Sequence, residues 1–274
     1  MKIGFIGTGS MGSMLIDTLL EAKTIKEEDI VIINRTIEKA IKLKEIYPAI
    51  HIASDIEELT RQCRWIFICV KPKDIPSFTP TVIPYLSREH VMISITSPVS
   101  IHHLEELFPC KVARIIPSIL NRAQSGSTLL VLALVAQALM KKRSISFVSS
   151  ISRPLFIDEN VTRVSSDIVS CGPAFFAFMA QRFIEGAVSE TPLGEKEATE
   201  LTTSMLIGLG KLLQEGYYTL PTLQERVCVP GGITGVGIAH LDQLLGEGFG
   251  SLFRLTEEKY ATEKKKLAQE FQLK

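Results

Sequence analysis

The chain has 274 residues, enough for one or two domains at about 100–200 residues each and enough to bury a core without disulfides or metals. Hydrophobic residues make up 46% and charged residues 22%, which excludes a disordered chain. Lys+Arg number 30 and Asp+Glu 30, so the formal charge is zero; this excludes a protein working mainly by nonspecific attraction to nucleic acid or an anionic membrane.

Ile3–Ile6 reads as a short buried strand, and Met11–Ala22 has helical spacing in Met11, Met14, Leu15, Leu19 and Ala22. Ile30–Ile33 is the next strand, with Thr36 placed to cap a helix running to about Ile46. His51–Ala53 is a short strand, and Ser54-Asp55-Ile56-Glu57 has the capping-box pattern that opens a helix. Trp65–Val70, Val91–Ile95 and Val112–Ile116 are further buried strands; between the first two, Pro76, Pro80 and Pro84 predict a broken or kinked helix. Strands without clean alternation, separated by helices, predict a parallel sheet covered on both faces. The apolar stretch Leu129–Met140 is too short to span a membrane and reads as a core strand and helix.

From about Asn160 the pattern becomes helical. A helix is expected from Gly172-Pro173 to about Ala187, then Glu195–Leu213, then one from the Pro230-Gly231-Gly232 loop to about Leu245, and a terminal helix over Phe249–Phe271. The expected architecture is α/β, a Rossmann doubly wound parallel sheet over residues 1–160, followed by an all-helical domain over 161–274. The N-terminal apolar run breaks at Gly7, before a signal-peptide core can form. The five cysteines are odd in number and make no C-x-x-C pair. A cytoplasmic protein with reduced thiols and no metal site is expected.

Gly7-x-Gly9-x-x-Gly12 follows a predicted strand and opens a predicted helix. A lone pattern of this kind recurs by chance, but strand, turn, helix and second strand are the context that gives it meaning. Gly7 permits the turn, Gly9 lets a pyrophosphate approach the backbone, and Gly12 lets helix and strand pack closely. With Thr8, Ser10 and Met11, these residues make the expected phosphate cradle at a helix N-terminus. Asn34-Arg35-Thr36 ends the second strand, where an NAD site normally carries Asp or Glu. Arg35 there can clamp a 2′-phosphate, so NADPH is the expected cofactor.

Gly7–Gly12, Asn34-Arg35-Thr36, Val70-Lys71-Pro72-Lys73, Gly172-Pro173-Ala174 and Pro230-Gly231-Gly232-Ile233-Thr234 occur in this order. Along nearly its whole length the chain resembles the pyrroline-5-carboxylate reductase family, and within it the branch encoded with late-competence genes of bacilli. The resemblance implies a C-terminal helical dimerisation domain, hence a homodimer or an assembly of dimers, and reduction of a small cyclic imine to proline by NAD(P)H. It places Val70, Lys71 and Pro72 in the cofactor crevice and Thr234 at the substrate ring nitrogen. Independently, the amides of Gly231, Gly232 and Ile233 before a helix form an anion site suited to a substrate carboxylate. Thr234 reads equally as a helix cap.

The departures from the family lie on the substrate side. Pro117-Ser118-Ile119-Leu120 stands where the family has Pro-Asn-Thr-Pro, Val229 where it has a carboxylate-holding serine, and Val169-Ser170-Cys171 where it has Ser-Gly-Ser. An NADPH-binding regulatory or structural dimer without turnover is therefore the alternative. His102-His103 reads as a solvated helix face behind a Ser100 cap, with His240 a weaker candidate near the Gly-rich loop. A β-hydroxyacid dehydrogenase would need Lys211 followed four residues later by Asn; this chain has Glu215.

Overall fold

Strand β1 (Ile3–Ile6) is buried along its whole length because helices cover both faces of the sheet it belongs to, and this is why it reads as an unbroken apolar run. The structure, a computed structural model, describes residues 2–133 and 137–271, so part of the expected Leu129–Met140 strand and helix lies outside the described residues. Its eight-stranded sheet has the order β3-β2-β1-β4-β5-β6-β7-β8. The members are β2 (Ile30–Ile33), β3 (His51–Ile52), β4 (Trp65–Ile68), β5 (Val91–Ser94), β6 (Lys111–Ile116), β7 (Ser127–Leu132) and β8 (Arg153–Phe156). Strands β1 to β6 pair in parallel, with Ile3 opposite both Ile30 and Trp65.

Alternate residues of these strands feed two cores. Helices α1 (Ser10–Glu21), α2 (Ile37–Ile46) and α6 (Gln137–Val148) send Leu15, Leu19, Leu43 and Phe147 onto one face, against Phe5, Ile32 and Phe67. Phe67 stacks on Phe5 at 5.0 Å and on Phe147 at 5.3 Å between ring centroids. Helices α3 (Ile56–Gln62), α4 (Ile75–Val82) and α5 (Ile101–Leu107) bring Leu59, Ile75, Val82 and Leu104 to the other face, against Val31, Ile66, Ile68 and Met92. The proline-rich stretch breaks as expected: a 3-10 turn at Pro72–Asp74, the short α4 with Pro80 inside it, and a second 3-10 turn at Ile83–Tyr85.

Three local details differ from the sequence expectation. Strand β7 runs antiparallel to β6 because the ten residues joining them form only a 3-10 turn over Ile119–Ala123, too short for a crossover helix. Strand β8 then pairs in parallel with β7 after α6. The cap of α3 is Asp55, one residue past the expected Ser54: Asp55 accepts the Glu58 N–H at 2.8 Å, and Glu58 in turn accepts the Ser54 N–H at 2.8 Å. Thr36 occupies the cap position of α2 without a side-chain cap bond.

After the sheet the chain is helical almost without interruption, through α7 (Thr162–Ser166), a π-turn over Asp167–Cys171 and α8 (Gly172–Glu190). Pro173 is the second residue of α8, as expected of a helix opening at Gly172-Pro173, although α8 continues from the π-turn rather than from a loop. In the π-turn the Val169 carbonyl accepts the Ser118 hydroxyl at 2.7 Å. The Ser170 hydroxyl returns a bond to the Pro117 carbonyl at 3.2 Å. Helices α9 (Glu195–Gln214), α10 (Leu220–Val227), α11 (Ile233–Leu245) and α12 (Gly248–Phe271) complete the chain.

Internal packing divides the chain into two units, residues 1–173 with 255–274, and residues 174–254. In the first, the distal part of α12 is held by a buried charged network. Arg114 of β6 is wholly inaccessible and donates to Glu159 at 2.6 Å and to the Ser97 carbonyl at 2.5 Å. Tyr260 of α12 donates to the same carbonyl at 2.8 Å, while Asp167 accepts from Arg163 at 2.6 Å and Thr256 at 2.7 Å. Burial pushes the Tyr260 hydroxyl pKa up, so it stays a donor. In the second unit, Phe176, Phe178, Leu201, Met205, Ile207 and Leu244 leave large apolar side chains exposed on a single chain.

Arg114→Ala empties a buried site and leaves Glu159 without its cation, the Ser97 carbonyl keeping only Tyr260; it should lower stability by about 3–5 kcal/mol in urea denaturation, against about 1 kcal/mol for Tyr260→Phe. An Arg114→Ala loss as small as that of Tyr260→Phe would contradict the assignment of the network as a structural clamp.

Candidate cofactor and substrate sites

The carboxyl ends of β2, β1 and β4 are neighbours, and strand order reverses between β1 and β4, the place where open α/β sheets bind ligands. The Gly7–Gly12 turn leaves β1 at this edge. Gly7 has φ +96°, and its N–H donates to the Ile33 carbonyl at 2.8 Å, so the turn is bonded to the end of β2. A Cβ on Gly12 would stand 2.6 Å from the Gly7 carbonyl oxygen, so only glycine lets α1 press this closely on β1.

Gly9 is different. It has ordinary extended backbone as the cap residue of α1, and a Cβ built there meets nothing within 4 Å. Helix α1 has no side-chain cap and no acidic residue in its first turn, leaving the amides of Ser10, Met11 and Gly12 and the positive end of the helix dipole for an anion. Thr8 is buried, with its hydroxyl unpartnered. An open space over glycine, free amides and a spare hydroxyl fit a dinucleotide pyrophosphate.

The expected cofactor residues separate into framework and surface. Asn34 is a brace: its carbonyl oxygen accepts the Thr8 N–H at 2.9 Å and its amide donates to the Thr36 carbonyl at 2.6 Å, locking the loops after β1 and β2 together. Arg35 is exposed beside that brace. Val70 lies against the Gly7 turn, and Lys71 leads into the Pro72–Asp74 turn, so Val70, Lys71 and Pro72 border the same edge. Sequence reasoning missed Asp74, whose carboxylate stands 3.9 Å from Arg35; its only signal was its place just past the Val70-Lys71-Pro72 run. Cys69, in the floor of the turn, is pushed by burial to a high pKa and is a thiol.

In the second unit, Gly231 has φ +74° and Gly232 is the cap residue of α11, its N–H bonded to the Val229 carbonyl at 2.9 Å. Helix α11 also lacks a side-chain cap and first-turn acids, and Ile233 is 92% exposed. Thr234 is the second helical residue and exposed; it is not the cap, since Gly232 holds that position. Val229 and Cys228 line a cleft of about 370 Å³ with Tyr218 and Arg226. His240 is exposed on α11.

Of the hydroxyls at family-divergent positions, Ser118 and Ser170 are used to join the Pro117 loop to the π-turn, while Ile119 is 54% exposed. Ser100 caps α5 as expected, accepting the His103 N–H at 3.1 Å, and His102 pairs with Glu106 at 3.2 Å on the helix surface. Among the described residues no group of His, Cys, Asp and Glu is arranged to hold a metal, and no helix is long and apolar enough to cross a membrane.

Comparison with known proteins assigns both halves. Residues 2–98 match the family described as NADP oxidoreductase, coenzyme F420-dependent, and residues 159–266 match pyrroline-5-carboxylate reductase dimerisation. The chain is 47% identical over 260 residues, 95% of each protein, to ComE operon protein 4 of Bacillus subtilis. It is 32% identical, over 94% of this chain and 95% of the relative, to pyrroline-5-carboxylate reductase 3 of the same organism. Its fold superposes on the Plasmodium falciparum pyrroline carboxylate reductase solved with NADP bound, with a TM-score of 0.81 at 25% identity over 97% of each chain. An NAD(P)-binding Rossmann sheet with both glycine turns in place, followed by a segment that matches the dimerisation region, makes this chain a member of the pyrroline-5-carboxylate reductase family.

Proposed function

We propose that the protein is an NADPH-dependent imine reductase acting on a cyclic imine that carries a carboxylate, the class to which 1-pyrroline-5-carboxylate belongs, with an amino acid of the L-proline type as product. The observation that carries this reading is the uncapped, acid-free start of α1 with open space over Gly9 and the Arg35 cation on the neighbouring loop. The relatives named as pyrroline-5-carboxylate reductases, and the NADP in the Plasmodium structure, support the same reaction class.

NADPH, when bound, supplies a hydride for the imine carbon. The chain's own residues bind and orient. Amides of Ser10, Met11 and Gly12 receive the pyrophosphate, Arg35 and the Asn34-braced loop receive the 2′-phosphate, and Val70, Lys71 and Pro72 border the nucleotide. The amides of Gly231 and Ile233 at the start of α11 receive the substrate carboxylate, while the Gly232 N–H, expected to join them, is committed to the Val229 carbonyl and shapes the turn. The Thr234 hydroxyl sits at the ring nitrogen, orienting the C=N bond while the nitrogen takes up a proton originating from solvent. Val229 and Ile119 are apolar where the family carries hydroxyls, and the loss of those donors favours a more apolar imine over the small polar acid. Those same two residues favour the second reading, an NADPH-binding regulatory or structural dimer without turnover.

The chain acts as a homodimer, because the exposed side chains of Phe176, Phe178, Leu201 and Met205 need a partner surface. Light scattering at micromolar concentration should give a dimer or a multiple of it; a stable folded monomer would contradict this.

Activity separates the two functional readings. Thr234→Ala should cut turnover of pyrroline-5-carboxylate by about 100-fold while leaving NADPH affinity unchanged. Val229→Ser with Ile119→Thr should raise it by about tenfold, the effect of roughly one net hydrogen bond. A double variant that binds NADPH normally yet stays inactive would replace the reductase by the binding dimer.

A further inference from the structure

The end of β2 offers no carboxylate to repel a 2′-phosphate, yet the fold delivers one from elsewhere. Asp74 closes the 3-10 turn after β4, and its Oδ1 stands 3.9 Å from Nη1 of Arg35, which comes from the loop after β2. Because β2 and β4 flank β1, this pair spans the carboxyl end of β1, where the glycine turn emerges. The two partners are held unequally. Asp74 donates its N–H to the Lys71 carbonyl at 2.9 Å and accepts the Ser77 hydroxyl on its own carbonyl at 2.8 Å, and its side chain is 28% exposed. The Arg35 side chain is 85% exposed. The carboxylate is the fixed charge, and the guanidinium is the one free to choose between partners.

We propose that Asp74 sets the selectivity between NADPH and NADH by competing with the ribose 2′-phosphate for Arg35 and by repelling it. The proposal rests on the reading of this edge as a nicotinamide dinucleotide site. At 3.9 Å the pair is a Coulombic contact rather than a hydrogen bond, and exposed pairs of this kind add little to stability. A structural role therefore does not explain Asp74. A 2′-phosphate that reaches Arg35 comes within about 8 Å of the carboxylate, inside the screening length at physiological salt. Lys71 and Lys73, exposed on the same turn, keep cations on this loop, so Asp74 lowers the preference for NADPH without abolishing it. NADH carries no 2′-phosphate and feels Asp74 only weakly.

Calorimetric titration of the full chain with NADPH and NADH, in about 50 mM and about 500 mM salt, tests this. Asp74→Asn, and Asp74→Ser as a second variant, should melt like the wild type. Each should tighten NADPH by about three- to tenfold at low salt, with NADH moving less than about twofold and the gain shrinking at high salt. In an Arg35→Ala background the gain should shrink, since no guanidinium is left to compete for and only the direct repulsion remains. An unchanged NADPH/NADH ratio, or NADPH weakened because Asp74 had been holding Arg35 in position, would overturn the proposal. The reading beneath it has its own signature. Arg35→Asp should reverse the preference to NADH; a wild type that binds neither nucleotide, or an Arg35→Asp protein that keeps its preference, would bring down the cofactor site itself and the Asp74 proposal with it.

Discussion

The close approach of α1 to the end of β1 is the constraint on which the rest of the first unit depends. Gly12 leaves no room for a Cβ against the Gly7 carbonyl, and Gly7 must turn at positive φ, so the helix begins directly over the strand end. A helix begun this way has neither a capping side chain nor a first-turn acid, and its free amides face open space over Gly9. Asn34 then fastens the second loop to the first through the Thr8 amide, and Val70 closes against the turn from the other side. The cradle is a by-product of tight packing, and this is why so few of its residues have side chains that reach inward.

The same economy appears in how the chain leaves the sheet. A short turn after β6 reverses the direction of β7, and Ser118 at that turn ties it to the Val169 carbonyl of the π-turn. Arg114 and Tyr260 share the Ser97 carbonyl, so the segment after β5 is positioned both from the sheet and from α12. Leu267 of α12 joins the core under α3, α4 and α5. A buried arginine is costly unless every partner stays in place, and here the two partners, Ser97 and Glu159, come from separate stretches of sequence.

Much of this was legible beforehand, for a physical reason. Strands covered on both faces must be apolar throughout, so β1, β2, β4, β5 and β6 announce themselves, and a glycine turn between strand and helix has a spacing that close packing dictates. What was not legible depends on long-range pairing. Strand β8 holds Arg153 and Pro154, tolerated only because it lies at the sheet edge, so it reads as a loop. The direction of β7 depends on the length of a turn, and the Ser54/Asp55 choice of cap on one residue of register. Asp74 enters the candidate site only because β4 folds beside β1, and Ser118 shows its use only when Val169 comes within reach. Thr234 and the Pro230-Gly231-Gly232 turn were visible as a helix start, but their tie to a substrate comes from family likeness and from the chemistry of free amides.

Gly9 offers the most direct test of the claim that α1 holds a dinucleotide pyrophosphate. A side chain there touches nothing in the protein and needs no unusual backbone angle, so Gly9→Val should melt within about a degree of the wild type, as a surface substitution away from packing does. It would, however, fill the space over the amides of Ser10, Met11 and Gly12. NADPH titration of the two proteins should show the variant weakened by 100-fold or more, roughly the loss of the charge-assisted contacts to the phosphates. An equally stable Gly9→Val protein that binds NADPH as tightly as the wild type would show that the nucleotide is held elsewhere.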